Sequence, residues 1–237
     1  SAKRLVLEFD GIFRDANIWV NGFFVGNNKS GYVGVSYDIT DYIQFDKPNT
    51  LVVRVDATQY EGWFYEGAGI YRHVWLHKMS PIHVAQDGIY AWSTFAGNKA
   101  TVHVQGTLQQ HSASSNTVTV TSIIKERDGR IVAKSKPQLV TIPATGEVSV
   151  TQSIALPTVR RWSLNDPYLY RIQYIVEHNG QLLDDRTIRF GVRQIEVKPN
   201  GVFLNGQHVK LLGTNNHQDH AGVGSALPDY LQYYRIG

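Results

Sequence analysis

Seven Asn-Gly or Asp-Gly pairs, beginning at Asp10, Asn21, Asp87, Asp128, Asn179, Asn200 and Asn205, punctuate the chain, many of them between runs of β-branched and aromatic residues. Such a pair accepts positive φ at both positions, which the type I′ turn requires and which matches the twist of the strands it joins. A chain interrupted in this way is expected to fold by antiparallel hairpins. Short strands fit "ANIWV", "NTLVVRV", "RHVWLH", "ATVHVQGTL", "NTVTVTSIIKE", "EVSVTQSI", "LYRIQYIVE" and "RTIRFGV". At the N-terminus Leu5, Leu7 and Phe9 alternate with Arg4, Val6 and Glu8. A strand that begins with the first residues suggests a domain cut from something longer.

Composition removes several classes of protein. The net charge is +3, and Lys and Arg are interspersed with acidic residues, so no basic face for nucleic acid is expected. With no Cys, a disulfide framework, a thiolate zinc site and a cysteine nucleophile are excluded. No apolar run approaches the roughly 18 residues of a membrane-spanning helix. Ser80-Pro81 marks a change of domain, and the strand spacing from about residue 82 to residue 193 suits one sandwich. The last segment opens with the hairpin "GVFLNGQHVKLLG", continues through a polar loop and ends in "SALPDYLQYYRIG". There Ser225 is placed to cap a helix with Pro228 in its first turn and Leu227 and Leu231 on one face. Strand, loop and helix make a β/α unit. The expected domains are 1–80, 81–197 and 198–237.

The segment "GTNNHQDHAGVG" carries Asn215, Asn216, His217, Gln218, Asp219 and His220 in succession. Two imidazoles three apart with a carboxylate between them suit a metal ion, but a third partner is wanting. Asn and Asp satisfying their own backbone would make an ordinary solvated loop. A sugar ring offers hydroxyls in several directions, and amide, imidazole and carboxylate side chains are what a site for it needs. A position at the C-terminal end of a barrel strand favours this last reading. A second loop, "DATQYEGWFYEGAGIYRHVWL", surrounds Glu61 and Glu66 with Tyr60, Trp63, Phe64, Tyr65 and Tyr71. It fits a packing surface, a sugar-stacking platform or, if the carboxyls lie about 5 Å apart, a glycosidase pair. Trp19, Trp75, Trp92 and Trp162, in or beside strands, are expected in the core. No nucleophile elbow or phosphate loop is present.

At this point three stretches, in order, resemble family 2 glycoside hydrolases, the β-galactosidase and β-glucuronidase group. "GIFRDANIWVNGFFVGNNKSGYVGVSYDITDYI…WFYEGAGIYRHVWL" is similar to their sugar-binding jelly roll. "WSLNDPYLYRIQYIVEHNGQLLDDRTIRFGVRQIEV" is similar to the end of their immunoglobulin-like domain. "GVFLNGQHVKLLGTNNHQDHAGVGSALPDYLQYYRI" resembles the start of their catalytic barrel. The resemblance implies a mainly β chain: a truncated jelly-roll β-sandwich, an immunoglobulin-like β-sandwich and the first β/α unit of a TIM barrel. It implies a parent that is a retaining, exo-acting β-galactosidase cleaving terminal β-galactosides, with β-glucuronidase or β-mannosidase as alternatives. Both catalytic glutamates are then expected beyond residue 237, so no catalytic residue is expected here and the chain alone is expected to be inactive. Substrate contacts carry over to His217, and less closely to Asn215, Asn216 and Asp219. The family's Arg-His-Glu is Asn216-His217-Gln218 here, and Glu61 or Trp63 replaces an Asp of the jelly-roll loop. No cofactor or metal is expected within the chain, while the whole enzyme has room for a divalent or monovalent cation. The expected partners are a β-galactoside, the remainder of the barrel and a second copy of the chain. A periplasmic or extracellular place is favoured over the cytoplasm. A different reading is a stand-alone carbohydrate-binding or adhesion module. Without its neighbouring strands, the barrel segment is expected to be poorly ordered, to pack on the sandwich or to pair with another copy.

Overall fold

The structure, a computed structural model, describes residues 3–59, 67–217 and 219–236. They form two compact units. One takes the described residues of Ala2–Met79 and Thr214–Gly237, and the other is Ser80–Gly213.

In the first unit β1 (Arg4–Phe9), β2 (Ile12–Phe13), β3 (Ala16–Val20), β4 (Phe23–Asn28), β5 (Val35–Asp38), β6 (Leu51–Arg54), β7 (Gly69–Ile70) and β8 (Val74–Met79) form small antiparallel sheets. Their orders are β5-β1-β8, β4-β3-β6 and β2-β7. The alternation read in the sequence decides the faces. Leu5, Leu7 and Phe9 of β1 and Ala16, Ile18 and Val20 of β3 point inward and build the core with Ile12 and Ile39. Each of these side chains larger than Ala16, fully buried, contributes about 1.5–3 kcal/mol before conformational entropy is subtracted. Asn21 and Gly22 both take positive φ and turn β3 into β4. Gly11 plays a different part: the Tyr71 ring lies where its Cβ would be, 2.6 Å away, while the Tyr71 hydroxyl donates to the Gly31 carbonyl at 2.7 Å.

The second unit contains β9 (Ile82–Ala96), β10 (Lys99–Gln110), β11 (Asn116–Lys125), β12 (Ile131–Lys134), β13 (Gln138–Ile142), β14 (Glu147–Leu156), β15 (Tyr170–His178) and β16 (Gln181–Phe190). Sheet β14-β10-β9 faces sheet β12-β11-β15-β16, to which β13 is added along β11. Val102, Val104 and Leu108 from one sheet meet Val120, Ile124, Ile172 and Tyr174 from the other in a single core. Gly106 lies opposite the Tyr174 ring, and a Cβ there would stand 2.2 Å from the ring carbon that bears the hydroxyl. Ser122 and Gln152, both buried, are paired. The Ser122 hydroxyl donates to Gln152 Oε1 at 2.7 Å, and Gln152 Nε2 donates to the Val120 and Lys136 carbonyls at 3.2 Å. The Asp184 carboxylate accepts the Val84 amide at 2.8 Å, joining residues a hundred positions apart.

Three strands follow within this unit: β17 (Ile195–Lys198), β18 (Gly201–Leu204) and β19 (Gln207–Val209), paired in that order. Asn205 binds them to the sandwich. Its amide group donates to the Trp162 carbonyl at 3.0 Å, its side-chain oxygen accepts the Gln194 amide at 3.1 Å, and its backbone amide donates to the Gln194 carbonyl at 2.8 Å.

The chain is mainly β, as the hairpin signals indicate. Two sequence expectations change. Asp87-Gly88 does not close a hairpin; Asp87 takes φ of 51° inside the continuous strand β9, where the pairing with β10 jumps from Gly106 to Leu108. The pair makes a bulge, the other way in which a strand uses a left-handed residue. The tryptophans differ as well: Trp19, Trp75, Trp92 and Trp162 all lie outside the buried core. In β3 the register gives the inward positions to Ala16, Ile18 and Val20, which leaves Trp19 on the other face.

Two outcomes test this packing. Gly106→Ala forces a methyl group into the Tyr174 ring and is expected to lower stability by about 2 kcal/mol in urea denaturation. His83 is buried, with Nδ1 2.9 Å from the Ser80 carbonyl, and burial pushes its imidazole pKa down. Below its ordinary value near 6.5 the unfolded chain therefore takes up a proton that the folded one refuses. Stability is expected to fall as pH drops below about 6.5, by up to about 1.4 kcal/mol per pH unit, and His83→Gln is expected to flatten that slope.

Candidate functional site

The polar cluster follows β19 on an exposed stretch of chain. Asn215, Asn216 and His217 are exposed and in no strand, and Asp219 is half-buried. A barrel strand receives its ladder from neighbours on both sides, and none is present for Lys210–His217 among the described residues. Beyond it His220 and Gly224 form a small antiparallel bridge, closed by the Gly224 amide on the His220 carbonyl at 2.9 Å and the His220 amide on the Gly224 carbonyl at 3.0 Å. Gly222 and Gly224, both at positive φ, shape this turn. The helix α1 (Asp229–Ile236) consequently starts after Pro228 rather than at a Ser225 cap.

From the last turn of α1, Arg235 reaches back to the loop. Its Nη2 donates to the side-chain oxygen of Asn216 and, at 2.7 Å, to the His217 carbonyl. Hydrogen bonds from a charged donor are the stronger kind, and two from one planar group restrict both position and angle. With Asn216 Oδ1 engaged, its amide nitrogen remains the natural group to offer a ligand. The start of α1 is also held. His73 stands between two carboxylates, Nδ1 3.4 Å from Asp10 and Nε2 3.5 Å from Asp229, and Asp10 further accepts the Trp75 indole N–H at 3.1 Å.

The structure thus brings Asn216 and His217 together under one guanidinium, with Asn215 and Asp219 on either side in sequence. Glu61 and Trp63, with most of the aromatic loop around them, lie outside the described residues. Among the described residues no group of three His, Asp or Glu side chains is arranged to hold a metal ion, so the pair His217 and His220 has no such third ligand there. No described helix is long and apolar enough to cross a membrane. Arg235 and His73 were not singled out by the sequence. Their signal is long-range contact, and neither "YYRIG" nor "IYRHV" carries a local pattern for it.

Comparison with known proteins identifies the family. Residues 1–80 match the family model described as the sugar binding domain of glycosyl hydrolases family 2, and residues 83–193 match the model described as glycosyl hydrolases family 2. The chain belongs to glycosyl hydrolase family 2. It is 35% identical over 230 residues to a β-galactosidase of Bacteroides ovatus, a match covering 96% of this chain and 27% of that protein. A β-glucuronidase of Formosa agariphila is 27% identical over 255 residues, covering 97% of this chain and 26% of the relative. The crystal structure of a family 2 member from Bacteroides cellulosilyticus superposes with a TM-score of 0.93 at 32% identity, covering all of this chain and 33% of that one. The family 2 chain described here therefore spans between 26% and 33% of the length of these relatives.

The brace on the loop has a measurable consequence. Arg235→Ala removes both bonds and is expected to raise amide hydrogen exchange in residues 213–217 by about fivefold, equivalent to roughly 1 kcal/mol. Unchanged exchange would mean that Arg235 does not hold the loop.

Proposed function

We propose that this chain is the sugar-facing N-terminal part of a retaining, exo-acting β-galactosidase, with a jelly roll over 1–80, an immunoglobulin-like sandwich over 81–197 and the beginning of the catalytic barrel over 198–237. The observation that carries the proposal is the brace from Arg235 onto Asn216 and His217, which restrains an amide and an imidazole in a segment that Asn215 and Asp219 flank in sequence. Membership of the family and the 35% identity to a β-galactosidase support the same reading.

In this proposal His217, Asn215, Asn216 and Asp219 hydrogen-bond the hydroxyls of the terminal sugar, with Glu61 or Trp63 contributing from the jelly-roll loop. A restrained loop loses less conformational entropy on binding, so more of each hydrogen bond appears as affinity. The two glutamates of the retaining reaction, one protonating the glycosidic oxygen and one forming the glycosyl intermediate, come from barrel strands after residue 237. β-Glucuronidase is the second reading, because relatives of that name align over as much of the chain as the β-galactosidases do.

The test compares this chain with a longer protein in which it continues through a complete barrel, on nitrophenyl β-galactoside, β-glucuronide and β-mannoside. The expected outcome is no turnover by the 237-residue chain and turnover of the galactoside by the longer protein. In the longer protein His217→Ala is expected to lower kcat/KM by about a hundredfold, the cost of leaving a buried sugar hydroxyl unpaired. Glucuronide as the sole substrate would select the second reading, and turnover by the short chain would defeat the proposal.

A further inference from the structure

The outer face of sheet β14-β10-β9 carries aromatic rings where solvent-facing polar residues are the rule. Register and alternation define this face. Val102, Val104 and Leu108 of β10 point into the core, so His103, Gln105 and Thr107 point away from it. Across the ladder Trp92 pairs with His103 and Tyr90 with Gln105, while His103, Gln105 and Thr107 pair with Ser153, Thr151 and Ser149 of β14.

The rings are stacked in a row. Tyr90 and Trp92 have centroids 5.4 Å apart at an interplanar angle of 26°, and Trp92 and His103 are 5.1 Å apart at 21°. His103 anchors the row at both nitrogens, with Nε2 2.9 Å from the Thr94 hydroxyl and Nδ1 2.9 Å from the Ser153 hydroxyl. Cross-strand pairing accounts for Trp92 against His103. It does not account for Tyr90, which ends the row, faces Gln105 rather than another ring across the ladder, and remains 63% exposed.

The geometry points to a second carbohydrate-binding site on the sandwich unit, in which the exposed end of the Tyr90–Trp92–His103 stack receives the C–H face of a neutral sugar residue in a polysaccharide. The chemistry is complementary on two counts. An electron-rich ring already held upright by stacking offers apolar area at little entropic cost. Beside it, Gln105, Thr151, Thr107 and Ser149 bear the amide and hydroxyl groups that the rim of a pyranose needs, Thr107 and Ser149 lying 2.8 Å apart, oxygen to oxygen. Charge narrows the ligand to a neutral one. The residues in these rows include no Asp, Glu, Lys or Arg, and Lys99 and Glu147 lie at the ends of their strands. A polyanion such as nucleic acid or a polyuronide would require cations here. The rows hold no carboxylate pair, so the site binds without cleaving.

This inference does not depend on which glycoside the proposed enzyme hydrolyses. It is tested by electrophoresis of the 237-residue chain in native gels containing a soluble linear β-galactan, with polygalacturonate as the charged probe. Galactan is expected to retard the chain. Tyr90→Ala is expected to weaken the apparent association by about fivefold, in line with the loss of one ring contact, whereas Tyr90→Phe keeps it within about twofold. Tyr233→Ala, which removes an exposed ring from α1 in the other unit, is expected to leave retardation unchanged, which assigns the effect to this face. The inference is overturned by the absence of retardation in galactan, by equal retardation of wild type and Tyr90→Ala, by equal losses in Tyr90→Ala and Tyr90→Phe, or by a preference for polygalacturonate.

Discussion

A slip of one residue between β10 and its neighbours would carry Val102, Val104 and Leu108 into water and drive His103 and Gln105 into the core, so pairing register is the constraint on which the sandwich depends. Two kinds of backbone device fix it. Asn179-Gly180 and Asn205-Gly206 take positive φ at both positions and close tight hairpins, which sets the frame of β15 against β16 and of β18 against β19. The bulge at Ala85–Gly88 works differently, absorbing extra residues in β9 so that both halves of that long strand keep their inward side chains inward. Gly106 lies beside the bulge, and with no side chain it leaves room for the Tyr174 ring between the sheets.

Most of the fold is legible in the sequence because it follows from period-two alternation and turn chemistry, both local. The strands at "ANIWV", "ATVHVQGTL" and "EVSVTQSI" correspond closely to β3, β10 and β14. What misleads is the assumption that large aromatic residues seek the core. Trp92 has Ala91 and Ser93 as neighbours, and no local rule tells which parity faces inward until the register with β10 is known. The Asp87-Gly88 pair misleads for a related reason: a left-handed residue serves a turn and a bulge equally well, and only the partner strand decides between them.

The candidate site divides along the same line. Its polar residues stand in one short segment and can be read directly, but the groups that order them come from elsewhere. Arg235 is sixteen or more positions from Asp219 and its predecessors, and the Asp10–His73–Asp229 bridge joins three separate segments. None of these has a preferred sequence spacing, because an ion pair or brace between distant segments obeys distance alone. Patterns in sequence identify the chemistry available to a loop; they do not identify what restrains it.

Restraint is the feature common to the polar loop and the aromatic row. A sugar in water is already well hydrated, so each hydrogen bond to protein is largely an exchange, and its net worth is small. The free energy that remains depends on how little order must be created on binding. Arg235 supplies that order at Asn216 and His217, and the Thr94 and Ser153 hydroxyls supply it at His103 and, through stacking, at Trp92 and Tyr90. In both places a group that need not touch the ligand holds the group that would, which is why substitutions one layer away from the sugar should matter nearly as much as those beside it.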